Sequence, residues 1–390
     1  MSLATLEAYG ITAERGFLCS FTADAVDVGS GLSQACDLAL RLPEILPTGA
    51  VREVLDTLKL VSPESVADLT EGQARMAMVH YSFLVQAYIW GAETPVSVLP
   101  ASLAVPTVAL ADRLGQQPLL QYSGYVLDNW GLLDASKPLS LDNIYMIQKF
   151  AAGTDEAWFV LVHVAIEAKA GAALALYGPL IEAENDGDAD RAQLILEEIV
   201  TIWAEINALF DRMPERCDPY IYFRRVRPYI HGWKDNPALD GGVVYEGVDR
   251  YKGVPQAFRG QTGSQSSIVP SMDALLGVGH AAGPLRAYLD ELHIYRPPGH
   301  RRFIDKVRAQ SRVRDFAKQA GHKGLTDAYN AAVQAVADFR SRHLEYAASY
   351  INKQGGYSTG NDTEIGTGGT PFMKYLKKHR DETRANLLDA

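Results

Sequence analysis

The stretch Thr326 to Asn352, TDAYNAAVQAVADFRSRHLEYAASYIN, contains neither proline nor glycine. Ala332, Val336, Phe339, His343, Ala347 and Tyr350 recur in it in steps of four and three, the spacing that puts side chains on one face of an α-helix. A long helix is therefore expected, with a histidine inside its apolar stripe. Ala347, one turn on, is small enough to let a flat group approach. Arg340, one turn before His343, lies on nearly the same face. From these residues alone, His343 is either an inward core histidine or a single ligand.

Working outward, the rest of the chain also reads as helix. Thr154 can cap a helix with Asp155 and Glu156 in its first turn, where the dipole favours acids. Phe159, Val162, His163 and Ile166 share one face, and Pro179 should kink or end the helix after Gly178. Asp188 or Asp190 can cap the next helix, containing Leu194, Ile199, Trp203, Ile206 and Phe210. Met76 to Trp90 is the longest uncharged apolar segment, too short for a comfortable membrane span, and reads as a buried helix. Gly260–Ser267 and Gly355–Gly369 lack helical periodicity and read as loops. Pro138 to Phe150 could hold a short hairpin. An all-α fold follows, with residues 1–115 as a small N-terminal helical domain and 116–390 as a large one. Leu99-Pro100 and Val105-Pro106 are expected to punctuate the end of the first.

The 390 residues are 47% hydrophobic, ample for a large core, and carry a formal net charge of −10. An acidic surface disfavours nucleic acid and anionic membrane as partners. Cys19, Cys36 and Cys217 are scattered and odd in number, which points to a reducing, cytoplasmic setting. The start MSLATLEAYG has an acid at Glu7 and no basic residue ahead of an apolar core, unlike a secretory signal. Gly29-Ser30-Gly31 and Gly277-Val278-Gly279 lack the context of a dinucleotide loop. The alternating Asp186, Asp188 and Asp190 have Arg191 where a calcium loop needs glycine.

Seven segments carry a family resemblance: LLQYSGYVLDNW (119–130), GWKDNP (232–237), VYEG (244–247), QSSIVPSMDALL (265–276), PPGHRRF (297–303), FRSRHL (339–344) and GTGGT (366–370). In this order and approximate spacing they resemble the indoleamine 2,3-dioxygenases. The resemblance implies a large helical domain binding haem b, with His343 as the proximal iron ligand. It places Arg340 and Asp273 near a propionate, as a charged pair. Ser264 falls beside the cofactor, although the family has a Ser-Ala-Gly run where this chain has Thr262-Gly263-Ser264. The substrate side would draw on Tyr122, Tyr125, Phe159, Tyr222, Phe223, Thr262 and Gly263. Arg227 would grip the substrate carboxylate through its planar fork, with Arg224 and Arg225 as alternatives. Thr367 and Gly368 belong to a loop that closes over substrate in the family, Thr367 offering its hydroxyl.

His163 departs from the family's animal members, which have serine there. It resembles the distal histidine of tryptophan 2,3-dioxygenases and would hydrogen-bond the indole N–H or O2. The implied reaction opens the indole C2=C3 bond of L-tryptophan or another indoleamine. Both atoms of O2 end in N-formylkynurenine, and an electron donor keeps the iron ferrous. A monomer is implied. The competing readings are a haem protein that only binds O2 and a haem enzyme acting on a modified tryptophan.

Overall fold

The computed structural model describes residues 3, 5–29, 31–354 and 362–389. Ser30 and residues 355–361, the start of the second glycine-rich stretch, lie outside the described residues. The chain is mostly helical, with two two-stranded sheets.

Helix α1 (Glu71–Trp90) opens with a reciprocal cap. The Thr70 hydroxyl accepts from the Gln73 N–H, and the Gln73 side-chain Oε1 accepts from the Thr70 N–H. It is buried nearly all round, as its composition predicts. Its polar side chains are partnered: His80 with Gln148 at 3.0 Å, and Ser82 and Gln86 with carbonyls. Helix α2 (Ala101–Leu114) corrects one expectation, because Pro106 lies inside it. Pro106 stands in the second turn, where its missing N–H forgoes a bond to the Ser102 carbonyl, yet the helix runs on to Leu114, so Val105-Pro106 is not a boundary. Gly115 ends α2 at φ +62°.

The 119–130 segment makes a wide turn over Ser123–Leu127. It then enters a hairpin of β2 (Trp130–Leu132) and β3 (Ile144–Met146), so the expected hairpin begins before Pro138. The other sheet pairs β1 (Val98–Leu99) with β4 (Val244–Tyr245) in parallel.

Helix α3 (Asp155–Ala175) gives way to α4 (Tyr177–Asp186) at Leu176. Pro179 acts a turn ahead of itself: it has no N–H to offer the Ala175 carbonyl, where α3 stops. Thr154 precedes α3, but its hydroxyl makes no cap bond. The span 155–186 is apolar enough to cross a membrane, yet 67% of its most apolar window is buried inside the protein. A Cβ on Gly171 would sit 2.4 Å from the Ala13 carbonyl, so the N-terminal segment rests directly on α3.

Asp188 caps α5 (Ala189–Asp211) by accepting from the Arg191 N–H. Its buried face is Leu196, Ile199, Trp203, Ile206 and Phe210, whereas Leu194 points outward, 65% exposed. After α6 (Ile268–Leu276), α7 (Pro284–His293) and α8 (Pro298–Gln310) comes the long helix α9 (Lys323–Tyr350). It packs along α5, with Phe339 stacked on Phe210 at 4.7 Å and edge-on to Trp203. Helix α10 (Phe372–Arg384) lies against α9 and closes the chain.

Candidate functional site

A cleft runs between α3 and α9, roofed by the loops 261–266 and 362–370. It consists of two adjoining cavities, of about 130 Å³ and 380 Å³. Both are walled by His163, Phe210, Gly263, Ser264, His343 and Leu376. His343 comes from the predicted stripe of α9, with Ala347 on the smaller cavity. Burial, then His163 and Arg340, pushes the His343 pKa down to about 4, so the imidazole is neutral and one ring nitrogen carries a free lone pair. Neither of its ring nitrogens hydrogen-bonds another described residue.

His163 faces His343 from α3. Its Nδ1 lies 2.7 Å from the Phe159 carbonyl. A carbonyl can only accept, so Nδ1 carries the proton and the neutral ring keeps Nε2 as an acceptor. Burial lowers this histidine's pKa as well. The Phe210 ring stands 6.1 Å from the His163 ring and 6.3 Å from the His343 ring. Phe159 and Tyr222, 4.7 Å apart, add aromatic wall.

The larger cavity ends in a charged network. Arg340 donates to Asp273 Oδ2 at 2.6 Å, to His379 Nε2 at 3.2 Å and to the Thr383 hydroxyl. Burial works against ionising Asp273, but Arg340 and His280 outweigh it and hold the carboxyl well below the usual range. His280 spans Asp273 at 3.4 Å and Glu382 at 2.8 Å. The ligand atoms of Asp273, His280 and His379 lie within 4.8 Å of one another. Arg340 nevertheless places a positive charge on the lone pairs that a metal ion would need, so this is a hydrogen-bond network. Nearby, Glu167 accepts from Ser266 at 2.8 Å and from the Tyr122 hydroxyl, and burial pushes its pKa up to about 7.

The glycine-rich loop is seated. Thr367 donates to the Gln261 carbonyl at 2.6 Å, Arg259 donates to the Gly368 carbonyl at 2.6 Å, and Arg227 donates to the Ile365 carbonyl at 2.7 Å. A Cβ on Gly368 would meet the Tyr288 hydroxyl at 2.5 Å, so that approach requires glycine. The Thr367 hydroxyl proton, expected to face a ligand, is thus directed to the neighbouring loop.

The expected residues separate into three groups. Phe159, His163, Tyr222, Thr262, Gly263, Thr367 and Gly368 line the smaller cavity. Tyr122, Ser264, Asp273, Arg340 and His343 line the larger. Tyr125, Phe223 and Arg227 are buried behind these walls: the Tyr125 hydroxyl donates to Glu156, and Arg227 lies over the Phe223 ring at 5.5 Å. The sequence reading missed Phe210, Tyr288, Tyr346, Arg296, His280 and His379. The first was named only as core. Tyr346 sits three residues after His343, close enough on the helix for its period to have flagged it.

The chain is mostly helical, and its aromatic cleft presents a neutral histidine that bonds no other described residue. The chain belongs to the indoleamine 2,3-dioxygenase family, whose members are haem dioxygenases: that family's model matches residues 5–386. It is 32% identical to indoleamine 2,3-dioxygenase 1 of Rattus norvegicus, over 90% of this chain and 88% of the relative. It is 30% identical to indoleamine 2,3-dioxygenase of Saccharomyces cerevisiae, over 98% and 94%. The figure for indoleamine 2,3-dioxygenase 2 of Homo sapiens is 29%, over 98% and 96%.

Proposed function

We propose that this chain binds haem b through His343 and cleaves the indole ring of L-tryptophan, or a close indoleamine, to N-formylkynurenine. The observation that carries the reading is the pair of histidines on opposite walls of one cleft, one anchored and one bonded to no other described residue. The surrounding donors fit haem. His343 offers a neutral imidazole, Ala347 leaves room beside it, and buried Asp273 Oδ1 and Arg340 Nε have no hydrogen-bond partner among the described residues.

When bound, haem supplies the iron chemistry that activates O2. The chain's own residues do the rest. His163 Nε2 accepts the indole N–H and fixes which edge of the ring faces the cofactor. Phe159 and Tyr222 pack its faces. Arg227, buried at the seated loop, supplies positive charge for the substrate carboxylate, to which a modest movement of 365–368 would admit it. The loop excludes water, so the positioned substrate reacts in a fixed geometry.

The test is turnover. Haemin-loaded protein, reduced with ascorbate in air, should convert L-tryptophan to a near-ultraviolet-absorbing product with the mass of N-formylkynurenine. Haem uptake without product from L-tryptophan or any other indoleamine would overturn the catalytic reading.

A further inference from the structure

Four arginines and three aspartates line the larger cavity. Three arginines are matched to those acids: Arg286 with Asp290 at 2.9 Å, Arg308 with Asp305 at 3.0 Å, and Arg340 with Asp273 at 2.6 Å. Arg296 is the fourth, and among the described residues it makes no ion pair. It is only 2% exposed. Its Nε and Nη2 donate to the carbonyls of Ser266 at 3.1 Å and Ser264 at 2.8 Å. Its Nη1 has only a long, 3.5 Å contact with His293 Nδ1. A buried cation is costly unless paired, and two carbonyls offset that cost without neutralising the charge. Burial pulls its pKa down to about 10, which still leaves it cationic at neutral pH.

We propose that Arg296 is a carboxylate-binding residue of the larger cavity and that the carboxylate is a propionate of the cofactor. This rests on the haem reading above. A free indole acid would offer the same chemistry, but the aromatic faces that suit an indole, Phe159 and Tyr222, line the smaller cavity, which Arg296 does not. A porphyrin edge carries two carboxylates. Arg340 already shares its charge with Asp273, so Arg296 supplies the uncompensated charge. Because it also holds Ser264 and Ser266, the anion would brace the 264–266 loop that borders both cavities.

The test is equilibrium titration of the full chain with haemin and with haemin dimethyl ester, whose propionates carry no charge, in wild type, Arg296→Met and Arg296→Lys. The expected result is a Kd for haemin raised about tenfold or more in Arg296→Met, partly restored in Arg296→Lys, with no difference between the proteins for the ester. A misfolded variant would weaken both ligands equally, and that result would overturn the assignment. So would equal haemin affinity in all three proteins together with equal binding of indole-3-acetate to the haem-loaded forms. Equal haemin affinity with indole-3-acetate binding lost in Arg296→Met would keep the carboxylate site but overturn the propionate as its occupant. If wild type took up no haemin, the haem reading itself would fail, an outcome distinct from all of these.

Discussion

His163 and His343 are the same residue type, face the same cleft and stand nearly equidistant from the Phe210 ring. Both have their pKa lowered by burial. They differ in what holds the ring. The Phe159 carbonyl fixes the tautomer and orientation of His163, leaving Nε2 as an acceptor. Among the described residues no such bond constrains His343, so its position comes from α9 and the aromatic packing around Phe210 and Phe339. A tether on Nδ1 leaves His163 one acceptor nitrogen, whereas His343, bonded to no described residue, keeps a lone pair uncommitted. The two roles proposed above rest on this difference in environment rather than on residue type.

That contrast can be broken by substitution. The largest effect is expected for His343→Ala, which should abolish turnover, while His163→Ala should keep haem and lose only part of the activity. Arg227→Ala comes next. Removing a buried charged partner typically costs roughly 2–5 kcal/mol, so kcat/KM for tryptophan should fall by that amount, with a smaller loss for an indole lacking the carboxylate. Unchanged kcat/KM would remove Arg227 from the binding site. For His163→Phe the expected loss is about 0.5–1.5 kcal/mol, the worth of one neutral hydrogen bond. The wild-type preference for tryptophan over its N1-methyl derivative should shrink with it. If the variant discriminated between the two as well as wild type, His163 would not be the acceptor.

The smallest effect concerns pH. Glu167 titrates near 7 in the fold, above its ordinary value of 4.5. The native state therefore holds a proton that the unfolded chain releases between those values, and stability falls as pH rises through that window. Glu167→Gln should raise Tm at pH 8 and leave it nearly unchanged at pH 4.5. Parallel pH profiles for variant and wild type would contradict this.

How far the sequence could be read follows the same physics. The stripe of α9, the cap at Asp188 and the facing pair Phe159–His163 depend on local period and capping chemistry, so they were legible in one dimension. The hairpin was placed late because its first strand, Trp130–Leu132, is short and fully apolar, with no alternation to mark it. Pro106 reads as a boundary because an interior proline usually breaks a helix, and nothing local shows that α2 tolerates one. Arg296, His280 and His379 were not legible as a group. They line one cavity only because the turn after α6, the turn after α7 and α10 border it, and nothing in their own neighbourhoods marks that convergence. Arg227 was legible as a candidate, but its present partner, the Ile365 carbonyl, lies 138 residues away.

The most direct test of the account is a haemin titration of wild type and His343→Ala followed by the Soret band, with and without added imidazole. The account predicts a saturable, histidine-ligated Soret spectrum in wild type, its loss or shift in His343→Ala, and its return when free imidazole fills the gap. An unaltered spectrum in the variant would place the iron on another residue and contradict the division of labour between the two histidines.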